Sequence, residues 1–239
     1  MERVPRHRFC ASPLPHKRAT RPKTTIAMAQ QEYFGQYNQD RIVHERFFAG
    51  KTDGFYLDIG AYDGKMLSNT LFFERAGWRG ICVEATEEDF RKLVANRPGA
   101  DCIHGAAYDR DGTIEFRRVD GAPRMLSGVN ADYDPRHLER IEREIRRDGG
   151  SSTLVTVPCF RMDTLLAARG VTHVDYLSLD VEGAETAVLS GFDLARVTVD
   201  VITVEDNYGE RAKFDAILGP THDCVGRIGD CDLLYVRRK

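Results

Sequence analysis

The chain has 239 residues, the length of one α/β domain or at most two small ones, and it is 42% apolar and 30% charged with no apolar run long enough to span a bilayer. Its formal net charge of −3 is unevenly spread: residues 1–27 hold seven Lys/Arg, one acid and four of the nine prolines, which leaves a body with 27 basic and 36 acidic residues. That acidic body argues against nucleic acid as a substrate, because tracking a phosphate backbone needs clustered Lys/Arg.

The basic, proline-rich stretch 1–29 lacks both a secretory apolar core and an amphipathic helix pattern. It is expected to be a disordered leader, or an upstream start with Met28 as the working initiator, in preference to a targeting peptide. Residues 30–239 then form one domain, expected to be cytoplasmic. The six cysteines (10, 82, 102, 159, 224 and 231) include no C-x-x-C pair, and the seven histidines form no H-x-x-x-H. Free thiols and no zinc site are expected. Gln30–Gly50 places Ile42, Val43, Phe47 and Phe48 on one helical face, predicted to pack over the sheet edge.

From residue 55 strands and helices alternate, which calls for a parallel sheet with right-handed crossovers. Phe55-Tyr-Leu-Asp58-Ile is a short apolar run of the buried-strand type, and it leads into Asp58-x-Gly60-x-x-x-Gly64. Ser68-Asn69-Thr70 opens a helix that Gly77 closes. Arg79–Glu84 is the second strand, and Thr86-x-x-Asp89 resembles a capping box before Phe90, Leu93 and Val94. Asp101–Ala107 reads as a third strand, and Thr113–Val119 as an alternating antiparallel one.

Residues 120–150 break the rhythm. Gly121, Pro123 and Gly128 mark a loop, and Asp134-Pro135 is an N-cap with proline at the first helical position. The helix that follows aligns Leu138, Ile141 and Ile145 and ends at Gly149-Gly150. Such an insertion is either a substrate cover or interaction arm, or a solvated surface helix. Val155–Phe160 is another strand, and Asp163 is expected to cap the next helix. Val174–Asp180 runs into Val181-Glu182-Gly183, and Val199–Glu205 into Asp206-Asn207. A helix near Ala212–Leu218 and a hairpin of Cys224–Ile228 with Asp232–Val236 complete the chain.

Glycines directly after a strand allow a tight turn and close approach of a ligand, and the next helix offers free N–H groups. Asp58, Glu84 and Asp180 all end strands, at the crevice where open α/β sheets bind nucleotides. Glu84 lies 20 residues past Gly64, where an acid meets ribose hydroxyls, and its charge disfavours NADP. With the acid first and no third dinucleotide glycine, the pattern suits S-adenosylmethionine better than nicotinamide.

On Gly54–Gly64, Ser68-Asn69-Thr70, Gly77–Glu84, Asn96-Arg97-Pro98 and Val174–Gly183 the chain resembles the FkbM-type S-adenosylmethionine-dependent methyltransferases, with Gln39-Asp40 fitting their upstream element. The resemblance covers roughly residues 33–236. It implies a class I Rossmann-like α/β fold, a seven-stranded, mostly parallel sheet with an antiparallel last strand and helices on both faces. It implies S-adenosylmethionine as methyl donor and O-methylation of a small hydroxyl acceptor, a sugar or polyketide-like metabolite. Carried over by position, Asp58, Gly60, Ala61 and Gly64 line the methionine and ribose side. Glu84 holds the ribose, Ala106 and Ala107 the adenine edge, and Asp180 the methionine end, with Tyr62 and Ser68 as neighbours. The plainer alternatives are a surface acid for Glu84 and helix capping for Ser68-Asn69.

Methyl transfer needs alignment, and a hydroxyl acceptor must also lose its proton. Glu182 and Glu205 are the candidates for acceptor binding or base duty, with capping of the following helices as the alternative. Asp180 with Asp206-Asn207 has the look of the magnesium site of catechol O-methyltransferases, a Mg²⁺ reading that is not favoured. Two other readings compete: a non-catalytic S-adenosylmethionine-binding module and, more weakly, an NAD-dependent oxidoreductase.

Overall fold

The structure, a computed structural model, describes residues 32–239. The leader, Gln30 and Cys10 lie outside the described residues. In chain order the elements are α1 (Gln39–Phe47), β1 (Phe55–Ile59), α2 (Leu71–Arg75), β2 (Arg79–Glu84), α3 (Glu87–Asn96), β3 (Asp101–His104), β4 (Ala106–Ala107) and β5 (Gly112–Asp120). They continue with β6 (Gly128–Val129), α4 (Pro135–Asp148), β7 (Ser151–Phe160), α5 (Met162–Ala167), β8 (His173–Leu179) and α6 (Glu185–Ser190). The last four are β9 (Thr198–Glu205), α7 (Arg211–Leu218), β10 (His222–Ile228) and β11 (Asp232–Arg237).

The apolar runs read as buried strands are buried. They form a seven-stranded sheet in the order β10-β11-β9-β8-β1-β2-β3. The five strands from β9 to β3 are parallel, and β11, the last in the chain, runs antiparallel between β9 and β10. Period-two alternation sends Leu57, Ile81, Leu177 and Ile202 to one face, where Met162, Leu166, Val188 and Phe214 of α5, α6 and α7 cover them. Tyr56, Cys82, Tyr176 and Val201 face the other way, under Val43 of α1, Phe72 and Phe73 of α2 and Leu93 of α3. Helix α1 therefore lies on the face of the sheet instead of at its edge. Its Gln39 amide donates to Asp232 of β11 at 2.6 Å.

The segment 101–160 departs from expectation. Asp101–Ala107 is two strands, because Gly105, at φ +145°, turns the chain out of the large sheet. Ala106-Ala107 then pairs with Cys159-Phe160 in a second sheet, ordered β4-β7-β5-β6. Its backbone is the nine-pair antiparallel ladder of β5 and β7, which the insertion separates in sequence.

Asp134 caps α4 as expected, accepting from the Arg136 amide at 2.8 Å. The buried stripe of α4 is His137 and Ile141 with Ile145 partly covered, and Leu138 lies off it. Thr86 does not cap through its side chain. Asp163, one residue inside α5, accepts from the first-turn Thr164 amide at 2.7 Å and also holds Arg161. Among the described residues no helix is long and apolar enough to cross a membrane.

Candidate active site

The carboxyl ends of β1, β2 and β8 open on a cleft lined by residues of the β1, β2 and β8 loops and of the second sheet. Gly60 leaves β1 at φ +86°, and a Cβ there would come within 1.6 Å of the Asp180 carbonyl oxygen. Only glycine lets the loops after β1 and β8 approach so closely. Tyr62 and Glu182 both line the cleft and both sit in the left-handed region, at φ +50° and +57°. Left-handed backbone costs a side chain roughly 1–3 kcal/mol and collects at functional sites.

Glu84 ends β2 and lines the cleft. Its Oε2 accepts from the Tyr62 amide at 3.0 Å and its Oε1 from the Thr86 amide at 2.6 Å. The carboxylate also accepts from the Thr86 side chain, which still leaves it room for a ligand hydroxyl. Burial pushes its carboxyl up to about 7 against the lowering effect of the Thr86 side chain and of those amides. Ala106 and Ala107 form an apolar part of the lining next to Gly105.

Asp180, Glu182 and Glu205 bring carboxylate oxygens within 4.8 Å of one another. Burial first, and the neighbouring acids second, raise the proton affinity of all three. The group can share protons or hold a hard cation. Glu182 Oε2 is enclosed with no hydrogen-bond partner among the described residues, 3.6 Å from His137 Nδ1 and 3.9 Å from Arg140. It does not cap α6. No side chain caps α6; Glu185, its first residue, instead accepts from the Val181 and Gly183 amides of the preceding loop. Glu205 accepts from the Asn207 side chain at 2.6 Å. The set Asp180 with Asp206-Asn207 is not assembled as a ligand group, because Asp206 pairs with Arg227 and accepts from the Glu210 amide.

Of the remaining expected cofactor residues, Gly60, Tyr62, Glu84, Ala106, Ala107 and Asp180 line the cleft, whereas Asp58, Ala61, Gly64 and Ser68 do not. Ala61 is buried in the core on the α2 side. The other three belong to a network centred on Arg97, which is fully buried. Arg97 donates to Glu74 (2.6 Å), Thr70 Oγ1 (3.0 Å), Ser68 Oγ (3.3 Å) and the Gly64 carbonyl (3.3 Å). Asp58 accepts from Thr70 Oγ1 at 2.5 Å and lies 3.8 Å from Arg97. Ser68 Oγ also accepts from the Thr70 and Leu71 amides, the capping alternative. Sequence reading missed Asp89, Arg124, Met125 and Ser127 in the lining. Asp89 carried a capping signal that fitted it equally well, and the other three sit in a loop with no periodicity.

No curated protein matches. The ribosomal protein L11 methylase of Lactobacillus delbrueckii subsp. bulgaricus is similar over 84% of this chain and 78% of its own, at 10% identity and a TM-score of 0.43, a level that carries no argument. The Methyltransferase FkbM domain matches residues 58–224, from the acid at the end of β1 through both walls of the cleft and into β10. The chain therefore belongs to the FkbM methyltransferase family, and it is a methyltransferase by that membership.

Proposed function

We propose that this methyltransferase takes S-adenosylmethionine as its donor and methylates a hydroxyl of a small metabolite of the sugar or polyketide type. The observation that carries the reading is Glu84: a buried carboxylate facing the cleft at the end of β2, held by two backbone amides and the Thr86 side chain, with room left for a ligand hydroxyl. Asp180, on the other side of β1, suits the cationic end of the same ligand, and the small side chains of Ala106 and Ala107 leave room for a flat ring. The donor supplies a methyl carbon activated by its sulfonium. The chain must then align the acceptor and hold its proton. Glu182 is positioned to hold that proton, since its Oε2 has no hydrogen-bond partner among the described residues and lies in a group of acids whose proton affinity burial and mutual repulsion raise. Glu205 shares that group and is the second candidate for binding the acceptor.

Titration calorimetry with S-adenosylmethionine and with NAD tests the donor, and tight binding of NAD instead would overturn it. Transfer of a labelled methyl group to hydroxylated metabolites tests catalysis, with Glu182→Gln and Glu205→Gln as controls. Binding of the donor with no transfer to any acceptor class would leave a binding module in place of an enzyme.

A further inference from the structure

The loop at 121–129 enters the insertion between two glycines, with Gly121 at φ +95°. Its inner side is firmly tied. Leu126 is 2% exposed against Val119 and Ile141, and its carbonyl accepts from Tyr133 Oη (2.8 Å) and His137 Nε2 (3.1 Å). Ser127 Oγ donates to the Arg124 carbonyl at 2.7 Å and accepts from the Val119 amide at 3.0 Å.

The outer side hangs over the cleft. Arg124 and Met125 line it there, and Met125 is 37% exposed. Arg124 Nη1 donates to Glu88 Oε1 at 2.5 Å and Asp89 Oδ1 at 3.4 Å, both in the first turn of α3. That turn follows directly on Glu84, so the ion pair joins the insertion to the β2 side of the cleft. Asp89 also lines the cleft, whereas Glu88 does not.

We propose that Arg124 is a positioning residue, a latch that fastens loop 121–129 across the mouth of the cleft and closes it over the adenosyl half of the cofactor. This rests on the reading that the Glu84 end of the cleft receives the ribose. A molecule in that part enters and leaves past Arg124, so the latch must open at each turnover. Its chemistry suits repeated opening: the shorter pair, with Glu88 58% and Arg124 27% exposed, is weak and screened by salt, and Lys92, paired with both Glu88 and the buried Asp89, keeps the two acids compensated when Arg124 leaves. Leu126, Ser127 and the 128–129 strand stay held on the insertion side, so opening the latch needs only the 123–125 tip to move.

Stopped-flow release of S-adenosylmethionine from the full chain tests this at low and at high salt. Arg124→Gln is expected to speed release roughly three- to tenfold at low salt, and Arg124→Lys, which keeps the charge, far less. Glu88→Gln should act in the same direction, and the double variant Arg124→Gln/Glu88→Gln should be no faster than the worse single change. Raising salt to about 1 M should bring the wild type up to the variants. Hydrogen exchange at the Leu126 and Ser127 amides, faster in Arg124→Gln without any ligand, reads the latch independently of the cofactor. Unchanged release, or an Arg124→Gln effect that Glu88→Gln does not reproduce, overturns the latch while leaving the donor assignment standing. A wild-type chain that binds no S-adenosylmethionine but shows the exchange difference overturns the donor assignment and the adenosyl cover, and leaves the ion pair as a tie between loop and helix.

Discussion

Two buried charged groups, one on each side of β1, are built on opposite principles. Around Arg97 every charge has an answer: the guanidinium reaches Glu74, Thr70, Ser68 and Gly64, lies near Asp58, and sits 5.2 Å from the Tyr56 ring centroid. Around Glu182 the acids outnumber the cations, and one carboxylate oxygen has no hydrogen-bond partner among the described residues. Low dielectric strengthens a completed network and penalises an incomplete one. The first group therefore holds the β1 turn and α2 in place. The second keeps a raised proton affinity, which the proposed transfer to a hydroxyl would use. A shared position at the strand ends says little about role; whether the charge is compensated says more.

The contrast breaks most visibly at Arg97. Arg97→Met leaves Asp58 and Glu74 without their cation and should cost about 3–5 kcal/mol in urea unfolding. A loss below about 1 kcal/mol would mean the network is not structural. Glu84 comes next. Its folded carboxyl is raised from 4.5 to about 7, so its contribution to stability is complete below pH 4.5 and is lost as pH rises through about 7. That shift corresponds to about 3 kcal/mol. Urea unfolding of Glu84→Gln between pH 4.5 and 8 should show a slope flatter than wild type by that amount, and parallel curves would contradict the raised value.

Glu182→Gln sharpens the other side. The Glu182 carboxyl is also raised, so its ionisation opposes folding as pH climbs. The amide should raise stability at pH 8 by about 1–2 kcal/mol while methyl transfer falls about 10²-fold or more. A variant that loses both activity and stability would make Glu182 part of the framework. The smallest effect is expected at the amino end of the sheet, where Lys51 pairs with the buried Asp175 at 2.5 Å. Asp175 keeps the Phe55 amide as a second partner, so Lys51→Met should cost only about 1 kcal/mol in a thermal melt.

The large sheet was legible because β1, β2, β8 and β9 are buried on both faces and read as plain apolar runs. Glu84 and Asp180 were legible for a related reason: an acid at the end of such a run has only the crevice to face. Asp58 carries the same signal and faces inward, since only the fold brings in Arg97 from 39 positions later. The second sheet escaped because its main ladder joins residues on either side of a 30-residue insertion, and the Ser151–Leu154 part of β7 is polar and half exposed. His137 escaped for lack of any apolar signal. It lies fully buried on a helix whose neighbours are charged, stacked on Tyr133 at 4.5 Å.

The turn at Gly105 has a consequence for the width of the cleft. One residue separates the strand that ends at His104 from the one that starts at Ala106, so the footing on which Ala106 and Ala107 stand is fixed by how they zip onto Cys159 and Phe160. A slip of one residue along that seam would reverse which side chains point up. It would also bring the ring of Tyr108 to where a methyl group now lies. The width of the cleft at Ala106 and Ala107 is thus set by the alignment of a short, two-residue seam in the neighbouring sheet.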